Sequence, residues 1–217
     1  FPGLKDRITV VYCGLSRSFC KAMGQGSANH VTTESPPYLL YVGGFDRRKN
    51  LERLIGAHNL LWKRGRREAL VLAGSGGQNP KLYYDERELL SCSDTGAVRI
   101  VNRPDDDRLV ELYKGAAALV IPSLIEGFGL PVLEAMALGC PVVSSDRASL
   151  PEVGGDAVMY CDPQKVESIA QSIEELLVNQ ALREDLVNKG KQRARSFSWE
   201  NAATSILSLL QRVAEGT

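Results

Sequence analysis

The sequence is poor in the residues and runs that commit a chain to metal, membrane or nucleic-acid chemistry. Its five cysteines (Cys13, Cys20, Cys92, Cys140 and Cys161) are scattered and form no CxxC pair. That argues against a disulfide framework and against a zinc site, and points to small buried hydrophobes in a reducing compartment. Only two histidines occur, His30 and His58, without metal-ligand spacing between them. No stretch approaches roughly 18 uninterrupted apolar residues, so no membrane-spanning helix is expected. The first residues carry neither the charged nor the apolar region of a signal peptide. Lys plus Arg number 26 and Asp plus Glu number 26, giving a formal net charge of zero. No global field recruits nucleic acid or acidic lipid, and any basic patch must be local.

What is present suits a globular enzyme. Of 217 residues, 44% are hydrophobic and 24% charged, enough for a sizeable core in one large domain or a domain with a helical appendage. Short apolar runs alternate with helical patterns. The strand candidates are Ile8–Cys13, Tyr38–Val42, Ala69–Ala73, Val98–Val101, Ala118–Ile121, Pro141–Ser144 and Ala157–Tyr160. The helix candidates among them are Asn50–Lys63, Asp106–Lys114, Pro131–Leu138 and Gln164–Asn179. Several strands are apolar at nearly every position, as parallel strands buried on both faces are. The expected fold class is therefore α/β, a Rossmann-like parallel sheet with helices on both faces, plus C-terminal helices. From Gln164 onward the pattern is helical: Val166–Leu177, Ala181–Arg195 and Trp199–Val213, the last with Ser198 as N-cap. We divide the chain into residues 1–195, the sheet domain, and residues 196–217, a closing helix. "GQGSANHVTTESPP" (Gly24–Pro37) reads as a mobile loop. The abrupt opening "FPGLKDRITVVYCG" leads straight into a strand, and the expectation is a fragment of something longer.

Three segments carry candidate chemistry. "GGFDRRKN" (Gly43–Asn50) sets two glycines and three cations after a strand, where α/β sheets bind ligands. Glycine lets the backbone approach a phosphate, Arg offers a bidentate fork and Lys a point charge; a solvated surface turn is the alternative. "LAGSGG" (Leu72–Gly77) is a second glycine loop, as compatible with a tight turn as with a nucleotide contact. The third is "IPSLIEGFGLPVLEAMALG". Gly127 and Gly129 make a turn, Pro131 opens a helix, and Gly139 stops it. The backbone at 127–130 then forms an anion-binding helix start, with Glu126 before it and Glu134 about one turn inside. An acid/base pair, a ligand clamp and a solvated helix end are all open for the two carboxylates. The three segments together suit a ligand with phosphates in the middle and hydroxyls at both ends, since carboxylates accept from hydroxyls.

These blocks resemble retaining glycosyltransferase family four. "EGFGLPVLEAMALGCPVV" carries the family's E-x7-E as Glu126 and Glu134. "YVGGFDRRKNLERLI", "LVLAGSGG", "SLPEVGGDAVMYCDP" and "RARSFSWENAA" follow the family's order, so the resemblance runs from Tyr38 to the C-terminus. The resemblance implies one half of a GT-B fold, the C-terminal, donor-binding domain. It implies that Arg48 and Lys49 bind the donor diphosphate, that Glu126 holds hydroxyls of the sugar and that Glu134 holds the ribose. Gly43 and Gly44, the backbone at Gly127, Phe128, Gly129 and Leu130, and Gly74, Gly76, Asn102 and Arg103 near the base would complete the donor site. Catalytic roles would fall to Arg48, Lys49 and Glu126. The family is generally metal-independent, so no cofactor or metal is expected beyond the UDP- or GDP-sugar itself. Asn102 stands where the family usually has Gly, and Cys13 where it often has Asn. The resemblance implies an acceptor-binding first domain outside this sequence, carrying a histidine that neither His30 nor His58 matches, and the helix from Trp199 would pack back on that domain.

The expected function is the donor half of a retaining hexosyltransferase. It would pass a sugar to a glycan or lipid-linked acceptor through the missing domain, with front-face attack and the leaving phosphate as base. The alternatives are a nucleotide-binding module inactive on its own, and a glycosidase using Glu126 and Glu134 as its pair. "RRKN" and "SLPEVGGDA" favour the mannosyltransferase-like branch and GDP-mannose. No nucleic-acid partner is expected. The expected location is cytoplasmic, with any peripheral membrane contact made through the missing domain.

Overall fold

The computed structural model describes residues 8–24, 37–79 and 81–215. Six strands form one sheet: β1 (Tyr38–Val42), β2 (Ala69–Gly74), β3 (Val98–Asn102), β4 (Ala118–Ile121), β5 (Val142–Ser145) and β6 (Met159–Cys161). All neighbours are parallel, in the order β3-β2-β1-β4-β5-β6. The helices are α1 (Arg17–Gly24), α2 (Leu51–Lys63), α3 (Glu86–Ser91), α4 (Asp106–Gly115), α5 (Leu130–Leu138), α6 (Leu150–Gly154), α7 (Val166–Val178), α8 (Gln180–Ala194) and α9 (Trp199–Ala214), with a single 3-10 turn at Arg47–Lys49.

Every residue of β1, β4 and β5 is buried, which requires cover on both faces of the sheet. One helical group is α2 against α7; the other is α1, α4, α5 and α8. β3, at an edge, is buried only at Val98, half-buried at Ile100 and Val101 and exposed at Arg99 and Asn102. The apolar runs of β1 and β4 form central strands because nothing in them needs water, and the two buried serines of β5 donate to backbone carbonyls instead; each crossover helix buries its apolar stripe on the sheet.

One expected strand is not there. Among the described residues Ile8–Cys13 has no ladder partner, and Ile8 and Val10 are exposed. Apolar alternation makes a strand only where a sheet edge accepts its backbone. This segment instead crosses to the far end of the chain: the Tyr12 ring lies edge-on to Phe197 and its hydroxyl donates to Glu152 at 2.5 Å, while the indole of Trp199 donates to the Leu15 carbonyl at 3.0 Å. Most of the expected loop Gly24–Pro37 (25–36) lies outside the described residues. Helices α1, α3 and α6 were not expected; they run 8, 6 and 5 residues, too short to show a clear 3.6-residue period. The Asp85-x-x-Glu88 start of α3 was readable as a cap, and the Asp85 carboxylate does accept from the Glu88 N–H at 2.7 Å.

The C-terminal helices fall as expected. Asn179 caps α8 and Ser198 caps α9, each accepting an N–H three residues on. Of α9, only Ala202 is buried, and Ile206, Leu207, Leu210 and Val213 are exposed. Among the described residues no helix is long and apolar enough to cross a membrane.

His58 is buried in α2, its Nε2 2.9 Å from the Glu68 carbonyl oxygen and its Nδ1 without a partner among the described residues. Burial holds its pKa below the usual histidine value. The unfolded chain therefore takes up this proton first, so the contribution of neutral His58 is full above about pH 6.5 and is lost as the pH falls below it. Chemical denaturation at pH 7.5 and 5.5 should give a smaller loss of stability on acidification for His58→Gln than for the parent. An equal loss in both would exclude His58 as the source.

Candidate functional site

In this sheet the strand order reverses between β1 and β4, because the crossovers leave those two strands in opposite directions. The crevice above their carboxyl ends is where open parallel sheets bind ligands. The segments leaving β1 and β4 are the cationic turn and the Pro122–Leu130 loop, so residues about eighty apart in the chain meet there.

The contact between them is an ion pair. Lys49 Nζ lies 2.7 and 2.8 Å from the two carboxylate oxygens of Glu126, with the side chains 12% and 8% exposed. Several neighbours fix this geometry. Asn50, in a left-handed conformation (φ 62) that Asn tolerates better than most residues, donates from its buried amide to the carbonyls of Pro122 (3.0 Å) and Pro163 (2.7 Å). The Leu124 N–H donates to the Arg48 carbonyl at 2.8 Å. Ser123 Oγ donates to Glu126 Oε1 at 2.8 Å, Ser149 Oγ to the Glu126 carbonyl at 3.1 Å, and Ser145 Oγ to the Ser123 carbonyl at 2.6 Å. Tyr41 is buried beneath, donating to the Gly44 carbonyl at 2.7 Å; burial and the nearby Glu126 and Asp46 charges push its phenol well above the usual value, so it stays a donor.

The other two cations point elsewhere. The half-exposed Arg48 pairs with Asp46 at 2.7 Å. Arg47 reaches Glu88 at 3.1 Å and stacks over the Tyr84 ring. Of the pair expected to grip a diphosphate, Lys49 thus meets Glu126 in the crevice, while Arg48 stands at its edge.

Beyond Glu126 the chain enters α5 through Gly129, whose φ of 107 is closed to L side chains and whose added Cβ would lie 2.9 Å from Leu150. Pro131 sits in the first turn and Gly139 (φ 73) ends the helix. The helix starts on the carboxyl-end side of β4, so the positive end of its dipole lies toward the crevice, while the Val132 and Leu133 N–H groups donate to the Gly129 carbonyl. The Phe128 ring packs on Tyr12 and Phe197, with centroids 6.3 and 6.1 Å away. Leu130 is exposed. Glu134 lies one turn in and accepts from the Tyr113 hydroxyl at 2.7 Å. Burial raises its carboxyl pKa and the Asp106 charge adds to that, while the Tyr113 hydrogen bond opposes both.

The glycine loop after β2 docks on the one after β1. A Cβ on Gly74 (φ 154) would stand 1.8 Å from the Gly43 carbonyl oxygen, so only glycine permits this approach. The Gly43 and Phe45 N–H groups donate to the carbonyls of Ala73 and Ser75, both at 3.0 Å. Gly76 lies against the Tyr84 carbonyl. Arg103 (φ 46) donates its N–H to the Gly74 carbonyl at 3.2 Å, and the Asn102 amide donates to Glu86 at 2.9 Å. Among the described residues no group of three or more His, Cys, Asp or Glu is placed to hold a metal ion. The sequence reading missed Ser123, Ser145, Ser149 and Tyr113. Ser123, three residues before Glu126, carried a local signal; Tyr113 had the look of a core residue of α4.

Residues 26–193 match the family model described as glycosyl transferases group 1. The chain belongs to that family. It is similar to O-antigen chain mannosyltransferase B of Escherichia coli, 39% identical over 171 residues that make up 78% of this chain and 44% of that protein. It is 32% identical to a glycogen synthase of Mycobacterium tuberculosis over 94% of this chain and 48% of that protein. The chain thus spans about half the length of these curated relatives. Among solved structures, a sucrose-phosphate synthase from Thermosynechococcus elongatus superposes with a TM-score of 0.75 at 27% identity, covering 96% of this chain and 53% of that one. A glycosyltransferase from Rickettsia africae shares the fold, with a TM-score of 0.78 at 15% identity over 98% of this chain and 59% of that one. The fold is therefore the Rossmann-like half seen in such glycosyltransferases.

The buried pair makes a stability prediction. Removing one partner strands the other, at a cost of about 3 kcal/mol or more. Lys49→Met should lower the unfolding free energy by about that much, and adding Glu126→Gln should recover most of it in a double-mutant cycle. Additive losses would mean that the two charges do not compensate each other.

Proposed function

We propose that this chain is the donor-binding half of a retaining glycosyltransferase that takes its sugar from a nucleoside diphosphate sugar. The observation that carries the reading is the Lys49–Glu126 pair at the strand-order reversal, beside the glycine-opened start of α5. A helix start and a lysine suit a diphosphate. Glu126, already accepting from Lys49 and Ser123, suits further hydroxyl donors better than a role as general acid, which weighs against the glycosidase reading. On this reading Glu126 holds the sugar, Glu134 the ribose, and the loops at Gly43, Gly44, Gly74, Gly76, Asn102 and Arg103 line the nucleoside. Lys49, with Arg48 at the rim, stabilises the leaving diphosphate, and the acceptor attacks from the same face with configuration retained. Preorganised cations do the work assigned to a metal elsewhere, so no metal is needed.

The "RRKN" turn and the mannosyltransferase names among the relatives favour GDP-mannose as donor and a glycan or lipid-linked acceptor. Five free cysteines suit a cytoplasmic setting. The share of the relatives' length that the chain spans favours a second reading for the chain alone, a module that binds the nucleotide without transferring sugar.

Thermal melting in the presence of nucleotides tests the proposal. At a hundredfold excess over Kd a ligand adds about 2.7 kcal/mol, or roughly 5–10 °C for a chain of this size. GDP should raise the melting temperature more than UDP, EDTA should leave the rise intact, and Lys49→Ala should abolish most of it. No rise with either nucleotide would overturn the donor-site reading. Incubating the chain with GDP-mannose and a glycan acceptor separates the enzyme from the module, since only the enzyme releases GDP.

A further inference from the structure

Tyr113 lies deep in the molecule, fully buried on α4, between the sheet and α5. Its ring is edge-on to Phe19 of α1, with centroids 5.8 Å apart. Its hydroxyl makes one directed contact, the 2.7 Å hydrogen bond to Oε2 of Glu134. Burial and the Glu134 charge push the phenol well above its usual pKa, so across the working pH range it donates. Oε1 of Glu134 has no protein donor among the described residues.

We propose that Tyr113 is a positioning residue for nucleotide recognition, fixing the Glu134 carboxylate so that it accepts from the ribose hydroxyls. The inference rests on the ribose role given to Glu134 above. A carboxylate one turn into a helix has two side-chain torsions free to swing it off target. Tying one oxygen to a phenol that is itself clamped between α1, α4 and the sheet leaves the second oxygen and the remaining lone pairs aimed in one direction. A phenylalanine would fill nearly the same space and leave the part-buried Oε2 without its donor.

The same contact opposes protonation. The groups acting on Glu134 are Tyr113 and Asp106, both on α4, and burial itself; Asp106 and burial favour the neutral acid, while Tyr113 favours the anion. Tyr113 in turn feels Cys140 after α5 and Tyr41 of β1, both neutral with raised pKa values. A protonated Glu134 accepts one hydroxyl fewer. Loss of the Tyr113 hydroxyl should therefore weaken nucleotide binding and shift its acid limb to higher pH, where a merely structural tyrosine would do neither to a folded protein.

The test uses calorimetry of GDP and of 2′,3′-dideoxy-GDP between pH 4.5 and 8, with the parent chain, Tyr113→Phe, Glu134→Gln and the double variant, each checked for cooperative melting. The expected result is a ribose-dependent preference in the parent and about tenfold weaker GDP binding by Tyr113→Phe. Its acid limb should lie higher in pH, and Tyr113→Phe should have no further effect on the Glu134→Gln background. If Glu134→Gln keeps the full ribose preference, the ribose role falls and this inference with it. If Glu134→Gln loses the preference while Tyr113→Phe matches the parent in affinity and acid limb, the ribose role stands and the inference is overturned. If Tyr113→Phe melts non-cooperatively, the preference of Tyr113→Leu and its coupling to Glu134→Gln decide the matter in the same way.

Discussion

Lys49 and Glu126 hold a full pair of charges in a place where water is mostly excluded, and the surrounding structure is arranged to make that tolerable. Two unit charges taken out of water cost several kcal/mol each unless geometry and hydrogen bonding compensate. Here both carboxylate oxygens meet the ammonium, and Ser123 supplies another donor. The backbone on either side is pinned by the Asn50 amide, by Ser145 and Ser149, and by the link from Leu124 to Arg48. The Asn50 and Leu124 contacts join the end of β1 to the end of β4, and the Ser145 and Ser149 contacts join the end of β5 to the loop after β4. The ion pair is thus where the fold's one topological irregularity, the reversal of strand order, is closed.

The two glutamates of the E-x7-E block are held by unlike means. Glu126 sits on a loop and is gripped by a charge; Glu134 sits on a helix and is gripped by a neutral phenol. Between them lies a turn that only glycine at 129 can make. A pair built for proton transfer would be expected to share an environment across one scissile bond. A charge-compensated carboxylate and a phenol-tethered one, at the two ends of a helix start, suit the ends of one long ligand better.

Much of this was legible in advance. The central strands β1 and β4 announce themselves because continuous burial leaves no charged or strongly polar position, and α5 because Pro131 and Gly139 bracket it. Ser198 was readable as a cap because an N-cap is a local interaction. What was not legible was non-local. Ile8–Cys13 has a strand's composition, yet whether a strand forms depends on a free edge elsewhere. The three cations at 47–49 look equivalent in the chain; that Arg47 turns to Glu88, Arg48 to Asp46 and Lys49 inward is decided by α3, by the turn itself and by the loop after β4. Tyr113 has the appearance of a core aromatic because its partner lies 21 residues on, in another helix.

The missed residues share a property that explains the miss. Ser123, Ser145, Ser149 and Tyr113 are all donors, and all but Ser123 aim at an acceptor that the sequence alone does not bring near. On the proposed reading, the carboxylates, the lysine and the glycines meet the ligand and are constrained by its chemistry, which gives them recognisable spacing. The donors behind them are constrained only by geometry: any small hydroxyl at the right depth serves. The outer ring of such a site is therefore its least readable part in sequence, although it determines how firmly the inner ring is aimed.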